Sequence, residues 1–561
     1  MSRRIVIVGG VAAGASAATR ARRLDENAEI ILFEMSGYVS FANCGLPYHV
    51  GDVITEREKL LLMTPERFRR EFRVDARVRH EVTRIERTNH RVRFRNMDTG
   101  EEGWEAYDRL ILTPGASPVV PPIEGVDSEN VFVLRNIEDM DAIRAALAER
   151  EVGRAVIVGA GFIGLEGAEV LTARGVEVTV VELLDQVLGP LDADMANTVA
   201  GHLREKGVSL HLGSGLKSLE TRDGQVTAAV LDDGTRIETD LVLMSIGVRP
   251  NSKLAADAGL ELGPRGGIRV NERLETSDPS ILAAGDVAEV IDVVTGQPTM
   301  VPLAGPANKH GRLAGEIAVT DQGPAPARVA GTAVVGVFDL IAACTGLSEK
   351  AARRAGIEHD SVLIRRGHHA GYYPGAEEMK LKLVYDPDSR RVLGAQAVGK
   401  AGVARRMDIV ATLLHFGGTI DDLGALDLAY APQFGAAKDP VHIAAFVADN
   451  QARGLVRQCE PADVPRLCEQ GAFFLDVRPP EKSAEGKVDG AANIPLAELR
   501  DRLHKIPTDR PVVVHCRSGQ TSYNACRVLT GLGRNDVINL AGGYLAYAEW
   551  QRAATPPQAS R

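Results

Sequence analysis

Gly159-Ala160-Gly161-Phe162-Ile163-Gly164 stands between the apolar run Ala155-Val156-Ile157-Val158 and a stretch that reads as a helix through Leu171. The following strand, Val176 to Val181, closes at Glu182. This is a complete G-x-G-x-x-G turn inside a βαβ unit. Its first glycine permits the turn, its second lets backbone approach a pyrophosphate, and its third lets helix pack on strand. The helix start offers unpaired N–H groups to phosphate. An acid at the end of the second strand suits ribose hydroxyls. Leu183-Leu184-Asp185 follows Glu182 with no arginine to receive a 2′-phosphate, which favours NADH and leaves NADPH open.

The same pattern occurs 150 residues earlier, where Ile5 to Val8 reads as a buried strand, Gly9 to Gly14 as a turn and Ala15 to Leu24 as a helix. Ile30 to Phe33 is the next strand, ending at Glu34, 20 residues beyond Gly14. Gly9 and Gly14 match the outer glycines, while Val11 holds the middle position. Two such units suit a flavin on one and a nicotinamide on the other. Leu110 to Leu112 leads through Thr113-Pro114 to Gly115, and Leu241 to Ile246 leads to Gly247; both read as closing strands. Ile281-Leu282-Ala283-Ala284 ends in Gly285-Asp286, where the acid is placed to bond a ribityl chain.

With 561 residues, three or four domains are expected. The net charge of −10 supplies no global positive field and argues against a nucleic-acid partner. None of the six cysteines forms a Cys-x-x-Cys pair, so neither a metal site nor a disulfide scaffold is expected, and a reducing, cytoplasmic setting fits. Arg3-Arg4 before Ile5 has the look of a signal peptide, but the glycine turn and the later acid read better as a nucleotide fold. No apolar run reaches the length of about 18 residues that marks a membrane helix.

Cys44 lies in Ser40-Phe41-Ala42-Asn43-Cys44-Gly45-Leu46-Pro47, soon after Glu34. Gly45 to Val50 reads as the start of a short helix, whose N-terminus would lower the thiol pKa. Cys44 has no neighbouring cysteine, so it must form a mixed disulfide with an external thiol or cycle through sulfenic acid. Cys516-Arg517-Ser518-Gly519-Gln520-Thr521 is a second cysteine loop, between the strand Pro511 to His515 and a helix through Leu529. Successive N–H groups in such a loop form a nest for a thiolate or persulfide, and Arg517 adds positive potential. Cys526, Cys344, Cys459 and Cys468 read as packing residues.

Ser-Phe-x-Asn-Cys-Gly, the two glycine turns and Gly285-Asp286 resemble the two-dinucleotide-binding flavoprotein disulfide reductases. The likeness is to their single-cysteine branch, which includes coenzyme A disulfide reductase, NADH oxidase and NADH peroxidase. The resemblance implies an α/β fold with two Rossmann-like domains: an FAD domain over 1–150 and 271–325, and an NAD(P)H domain over 151–270. It also implies an α+β dimerisation domain over 326–448 and an obligate homodimer. Gly9, Gly14, Glu34, Gly115, Gly285 and Asp286 would hold FAD, and Gly159, Gly161, Gly164 and Glu182 the nicotinamide nucleotide. Substrate contacts carried over from the coenzyme A members fall on Ser16, Arg20, Arg23, Ser40 and Asn43. Arg20 and Arg23 share a helix face and suit coenzyme A phosphates. From the partner subunit the resemblance implies two tyrosines, Tyr430 and either Tyr372 or Tyr373, with Lys438 as the basic residue. The oxidases and peroxidases place a His in the first glycine turn; Gly10-Val11-Ala12-Ala13 has none, which favours thiol chemistry.

After a linker over 449–457, residues 458–555 resemble a rhodanese domain. The resemblance rests on Leu475-Asp476-Val477-Arg478, Gly490-Ala491-Ala492-Asn493-Ile494-Pro495 and the Cys516 loop. Lys487 and Asp489 replace the usual His and Pro of that family's Gly-His-Ile-Pro-Gly stretch. The combined expectation is NADH-dependent reduction, through FAD and Cys44, of coenzyme A persulfide, polysulfide or coenzyme A disulfide, with Cys516 carrying sulfane sulfur. Its rivals are an NADH oxidase or peroxidase, and a sulfur carrier or redox sensor.

Overall fold

Two compact units make up the computed structural model, which describes residues 3–554. Among the described residues, the first comprises 3–185 and 207–331. Its N-terminal sheet is parallel, in the order Ile281–Ala283, Arg109–Leu112, Arg4–Val8, Glu29–Phe33, Val74–Arg77. Ile5, Val6 and Ile7 are wholly buried, as a strand covered on both faces requires. Val8 pairs with Phe33 on one side and Leu112 on the other, so all three strands end level and their turns gather at one edge. Such an edge, beyond the carboxyl ends of parallel strands, is where α/β folds bind ligands. The helix Ala304–Thr320 packs on Ala12–Leu24 so closely that a Cβ at Gly311 would lie 2.2 Å from the Ala13 carbonyl oxygen.

The second parallel sheet of this unit repeats the plan, in the order Ser209–Leu212, Glu177–Glu182, Arg154–Val158, Leu241–Met244, Val131–Phe132. Val158 pairs with Val181 and Met244, again bringing three strand ends together. Each parallel sheet has a three-stranded antiparallel companion, over 80–106 and 216–238 respectively.

Among the described residues, the second unit comprises 186–206 and 332–554. An antiparallel sheet runs in the order Ala333–Val337, Leu340–Gly346, Val392–Gly399, Glu378–Tyr385, Asp360–Gly367. Residues 186–206, assigned from the sequence to the nicotinamide domain, belong to this unit instead. Gln396 on the sheet accepts from the Asp192 N–H at 2.7 Å and donates to its carboxylate at 2.6 Å. Buried Lys382 bonds Asp194 at 3.1 Å, so a polar seam fixes where the helix Ala193–Glu205 packs. The stretch expected as a linker is mostly structured. The helix Pro440–Ala452 continues through its first four positions, and a strand begins at Arg457.

That strand, Arg457–Cys459, edges a parallel sheet that continues with Val537–Leu540, Val512–His515, Phe473–Asp476 and Ala492–Asn493. Its two faces bury separate apolar clusters, around Leu475, Val514 and Leu529 on one side and Phe474, Val513 and Leu540 on the other. Position 555, the last expected in this domain, lies outside the described residues.

Candidate active site

The two glycine turns are built alike. Gly9 and Gly159 have φ of +97° and +104°, the region that favours glycine. A Cβ on Gly14 would stand 1.8 Å from the Gly9 carbonyl oxygen, and one on Gly164 would stand 2.0 Å from that of Gly159. Glu34 accepts from the N–H groups of Gly10 at 2.7 Å and Ser36 at 2.8 Å. Glu182 accepts from those of Ala160 at 2.7 Å and Leu184 at 2.9 Å. Both acids therefore shape the turn and keep lone pairs for a sugar hydroxyl. A hydroxyl that the sequence reading passed over bolts each turn to its strand. Thr113 Oγ1 lies 2.9 Å from the carbonyls of Val8 and Gly9, and Ser245 Oγ lies 2.9 Å from those of Val158 and Gly159. Around Gly161, by contrast, an added Cβ would meet nothing within 4 Å. That open cradle beside a helix start fits a bound pyrophosphate.

Cys44 is exposed, in the turn Asn43–Gly45 before the helix Leu46–Val50. The structure gathers around it residues distant in sequence. Asn43 Nδ2 donates to the Arg135 carbonyl at 3.1 Å, and the Arg135 guanidinium lies 3.7 Å from Asp286. A Cβ on Gly115 would stand 2.9 Å from that same guanidinium. Tyr48 donates to Glu166, on the helix of the second glycine turn, at 3.3 Å. The thiol is not held low, as the helix reading expected. Crowding pushes its pKa up, Glu166 and Asp286 add to the rise, and Arg135 opposes it. A helix of five residues has too small a dipole to outweigh two carboxylates. Burial likewise raises the carboxyls of Glu166 and Asp286, and burial with the neighbouring Glu166 pushes Tyr48 to about 12.

The expected basic face of the first helix is different in the structure. Arg20 is paired with Glu316 through two hydrogen bonds, at 2.6 and 3.0 Å, while exposed Arg23 lies over the Phe72 ring at 5.3 Å. Helical spacing gave their common face but not Glu316, which is supplied from 296 residues away. Ser16 bonds Asn308 at 2.7 Å. Ser40 sits at φ +47° with its N–H on the Gly10 carbonyl at 2.9 Å, so the Cys44 segment is tied directly to the first glycine turn.

In the second unit, Tyr372 and Tyr430 meet hydroxyl to hydroxyl at 2.9 Å, both exposed. Tyr373 instead packs edge-on against His369, with ring centroids 5.6 Å apart. Lys438 is exposed and precedes buried Asp439.

Cys516 is buried, and its sulfur accepts from the Gly519 N–H at 3.2 Å and the Ser522 hydroxyl at 3.4 Å. The nest expected from successive N–H groups is thus one N–H and one hydroxyl, because Gly519 at φ +100° turns the loop sharply. Arg517 does not face the sulfur alone, since its guanidinium pairs with Glu378 at 2.8 Å. Glu549 in turn pairs with Lys380 at 3.1 Å and Arg365 at 2.5 Å, which seats the rhodanese-like sheet on the antiparallel one. Tyr544 donates its N–H to the Cys516 carbonyl at 2.9 Å and lines a cavity of about 560 Å³ with Lys487, Asp489 and Asn493. Lys487 does not point freely into it, because its ammonium bonds the Ala491 carbonyl at 2.7 Å. His515, wholly buried beneath the loop, is pushed by burial to about 4 and stays neutral. Burial raises the thiols of Cys526, Cys459 and Cys344, the last to about 11, as suits packing residues.

The description pyridine nucleotide-disulphide oxidoreductase matches residues 3–308, the dimerisation domain of the same family matches 332–440, and a rhodanese-like domain matches 460–549. The chain belongs to the pyridine nucleotide-disulphide oxidoreductase family and carries a C-terminal rhodanese-like domain. It is 34% identical over 446 residues to a coenzyme A disulfide reductase of Staphylococcus haemolyticus, covering 80% of this chain and 99% of the relative. The crystal structure of reduced Bacillus anthracis CoADR-RHD superposes with a TM-score of 0.95 at 44% identity, over 98% of each chain. A NAD-dependent persulfide reductase from A. fulgidus does so at 0.91 and 38%, over 97% of this chain and 99% of that one.

Proposed function

We propose that this chain is an NADH-dependent flavoenzyme that reduces the sulfur–sulfur bond of coenzyme A persulfide, or of coenzyme A disulfide and polysulfide. It would act as a homodimer in a reducing compartment such as the cytoplasm. The observation that carries the reading is Cys44 itself. This exposed free thiol lies between two dinucleotide turns, with no second cysteine in its segment and with a separate cysteine loop at Cys516. A persulfide reductase and a coenzyme A disulfide reductase among similar proteins support it.

When bound, NADH at the second turn would supply two electrons per turnover, and FAD at the first would relay them. The Cys44 thiolate attacks the coenzyme A-bound sulfur of the persulfide, forming Cys44–S–S–CoA and expelling hydrosulfide. Two electrons and one proton then cleave that disulfide to the Cys44 thiolate and coenzyme A. The sum is coenzyme A persulfide plus NADH giving coenzyme A, hydrosulfide and NAD⁺. The raised thiol of Cys44 must ionise before it attacks, so the thiolate fraction limits this step. The partner subunit's tyrosine pair, Tyr372 with Tyr430, would hydrogen-bond the departing sulfur and give up a proton to it, with Lys438 holding a phosphate. Asn43, Ser40 and Ser16 would contact coenzyme A, as the family resemblance implies. The rhodanese-like domain would carry sulfane sulfur as a Cys516 persulfide, and its tether raises the local concentration of that sulfur.

Cys44→Ser tests the mechanism. The variant is expected to retain bound FAD while losing NADH oxidation with coenzyme A persulfide and disulfide. Retained turnover would overturn the assignment.

A further inference from the structure

The hydroxyls of Tyr372 and Tyr430 touch although both side chains are exposed and stand on different loops, over 368–377 and 429–435. Exposed loops do not hold two hydroxyls at 2.9 Å without support. Two adjacent arginines on the helix Val403–His415 provide it. Arg405 places one N–H on the Ala429 carbonyl at 2.9 Å and another on the Phe434 carbonyl at 2.8 Å, so its planar fork brackets the loop that bears Tyr430. Arg406, almost wholly buried, donates to the His368 carbonyl at 2.7 Å, at the root of the loop that bears Tyr372. It also pairs with buried Asp439 through two bonds, at 2.7 and 3.1 Å. Arg405 flanks the same carboxylate at 4.0 Å. Asp439 directly follows Lys438 and caps the helix Pro440–Ala452 through the Val441 N–H at 3.2 Å. One main-chain bond, from Ala370 N–H to the Gly435 carbonyl at 2.9 Å, closes the bracket between the loops.

We infer that Arg405 and Arg406, the latter locked to Asp439, are positioning residues that hold the loops of the Tyr372–Tyr430 pair for the substrate. The inference deepens the proposed function and rests on its reading of the tyrosines. A planar fork spanning two carbonyls cannot be replaced by the point charge of lysine. Neither arginine is a catalytic residue, because both act through the loops they hold.

Arg406 is the poorer probe, because its loss strands a buried carboxylate and threatens the fold. Arg405, at the rim, is the better one. Arg405→Met is expected to lower kcat with coenzyme A persulfide or disulfide by about 10- to 100-fold, the scale of a misplaced reacting group. Its NADH oxidation with ferricyanide, which needs no tyrosine, should be unchanged, and Arg405→Lys should restore little. The decisive readout is a cycle with Tyr430→Phe. If Arg405 acts by placing Tyr430, the double variant is no slower than Tyr430→Phe alone. Multiplying losses in the double variant, or an Arg405→Met enzyme with wild-type kcat, would overturn the inference while leaving the tyrosine reading standing. A fully active Tyr430→Phe enzyme would instead overturn the tyrosine reading, and this inference with it.

Discussion

Two alanine substitutions three residues apart, Gly161→Ala and Gly164→Ala, are expected to fail in different ways. At Gly164 a Cβ would lie 2.0 Å from the Gly159 carbonyl oxygen, where ordinary contact begins at 3.4 Å. The obstacle is backbone, and Ser245 pins it at 2.9 Å, so the helix Phe162–Ala173 must move by more than an ångström. Overpacking of this kind costs about 1–3 kcal/mol, and the rigidity of the turn puts it near the upper end. At Gly161 a Cβ meets nothing within 4 Å, and φ of −80° suits any residue. Losing a glycine N-cap and stiffening the unfolded chain are opposed effects of under about 1 kcal/mol each, so stability should hardly change. The new methyl instead occupies the approach of the pyrophosphate. One charge-assisted hydrogen bond is worth about 1.5–3 kcal/mol, which at 1.4 kcal/mol per decade is roughly 10- to 100-fold in KM for NADH. Thermal unfolding and steady-state kinetics on both variants separate the two outcomes. A Gly161→Ala enzyme with wild-type KM for NADH would refute the placement of the nicotinamide nucleotide at this turn, and an undisturbed Gly164→Ala would refute the packing argument.

Glu166 is expected to raise the Cys44 thiol pKa in the alkaline range where the thiol titrates, because its carboxylate is then ionised. Glu166→Gln removes that charge, so the pH profile of Cys44 alkylation should move to lower pH; an unmoved or upward-shifted profile would contradict the assignment. Cys516→Ser should abolish transfer of sulfane sulfur from thiosulfate to cyanide while sparing reduction of coenzyme A disulfide. Full sulfur transfer by that variant would place the carrier thiol elsewhere.

Local features of the sequence carried the frame of this site. Each glycine turn, its strand and its acid lie within about thirty residues, and sterics alone dictate where Gly9, Gly14, Gly159 and Gly164 are needed. The turns that bear Cys44 and Cys516 were legible for the same reason, since each is short and has a recognisable neighbourhood. What stayed hidden depends on contacts distant in the chain. Glu166 and Asp286 converge on Cys44 from separate segments, and with burial they reverse, against Arg135, the shift that a helix start alone would give its thiol. Glu316 neutralises Arg20 from across the packed helices. Thr113 and Ser245 look like ordinary strand-end residues until the two turns are compared in space. The helix Ala193–Glu205 carries no local sign of which sheet it covers; Asp192, Asp194 and Lys382 decide that through a polar seam.

Whether Cys44 performs thiol or oxygen chemistry is decided by steady-state NADH oxidation by the wild-type enzyme, compared across coenzyme A persulfide, oxygen and hydrogen peroxide. Thiol chemistry at Cys44 gives rapid turnover with coenzyme A persulfide, with one hydrosulfide released per NADH, and slow turnover with either oxidant. Faster oxidation with oxygen or peroxide, without hydrosulfide release from the persulfide, would contradict it.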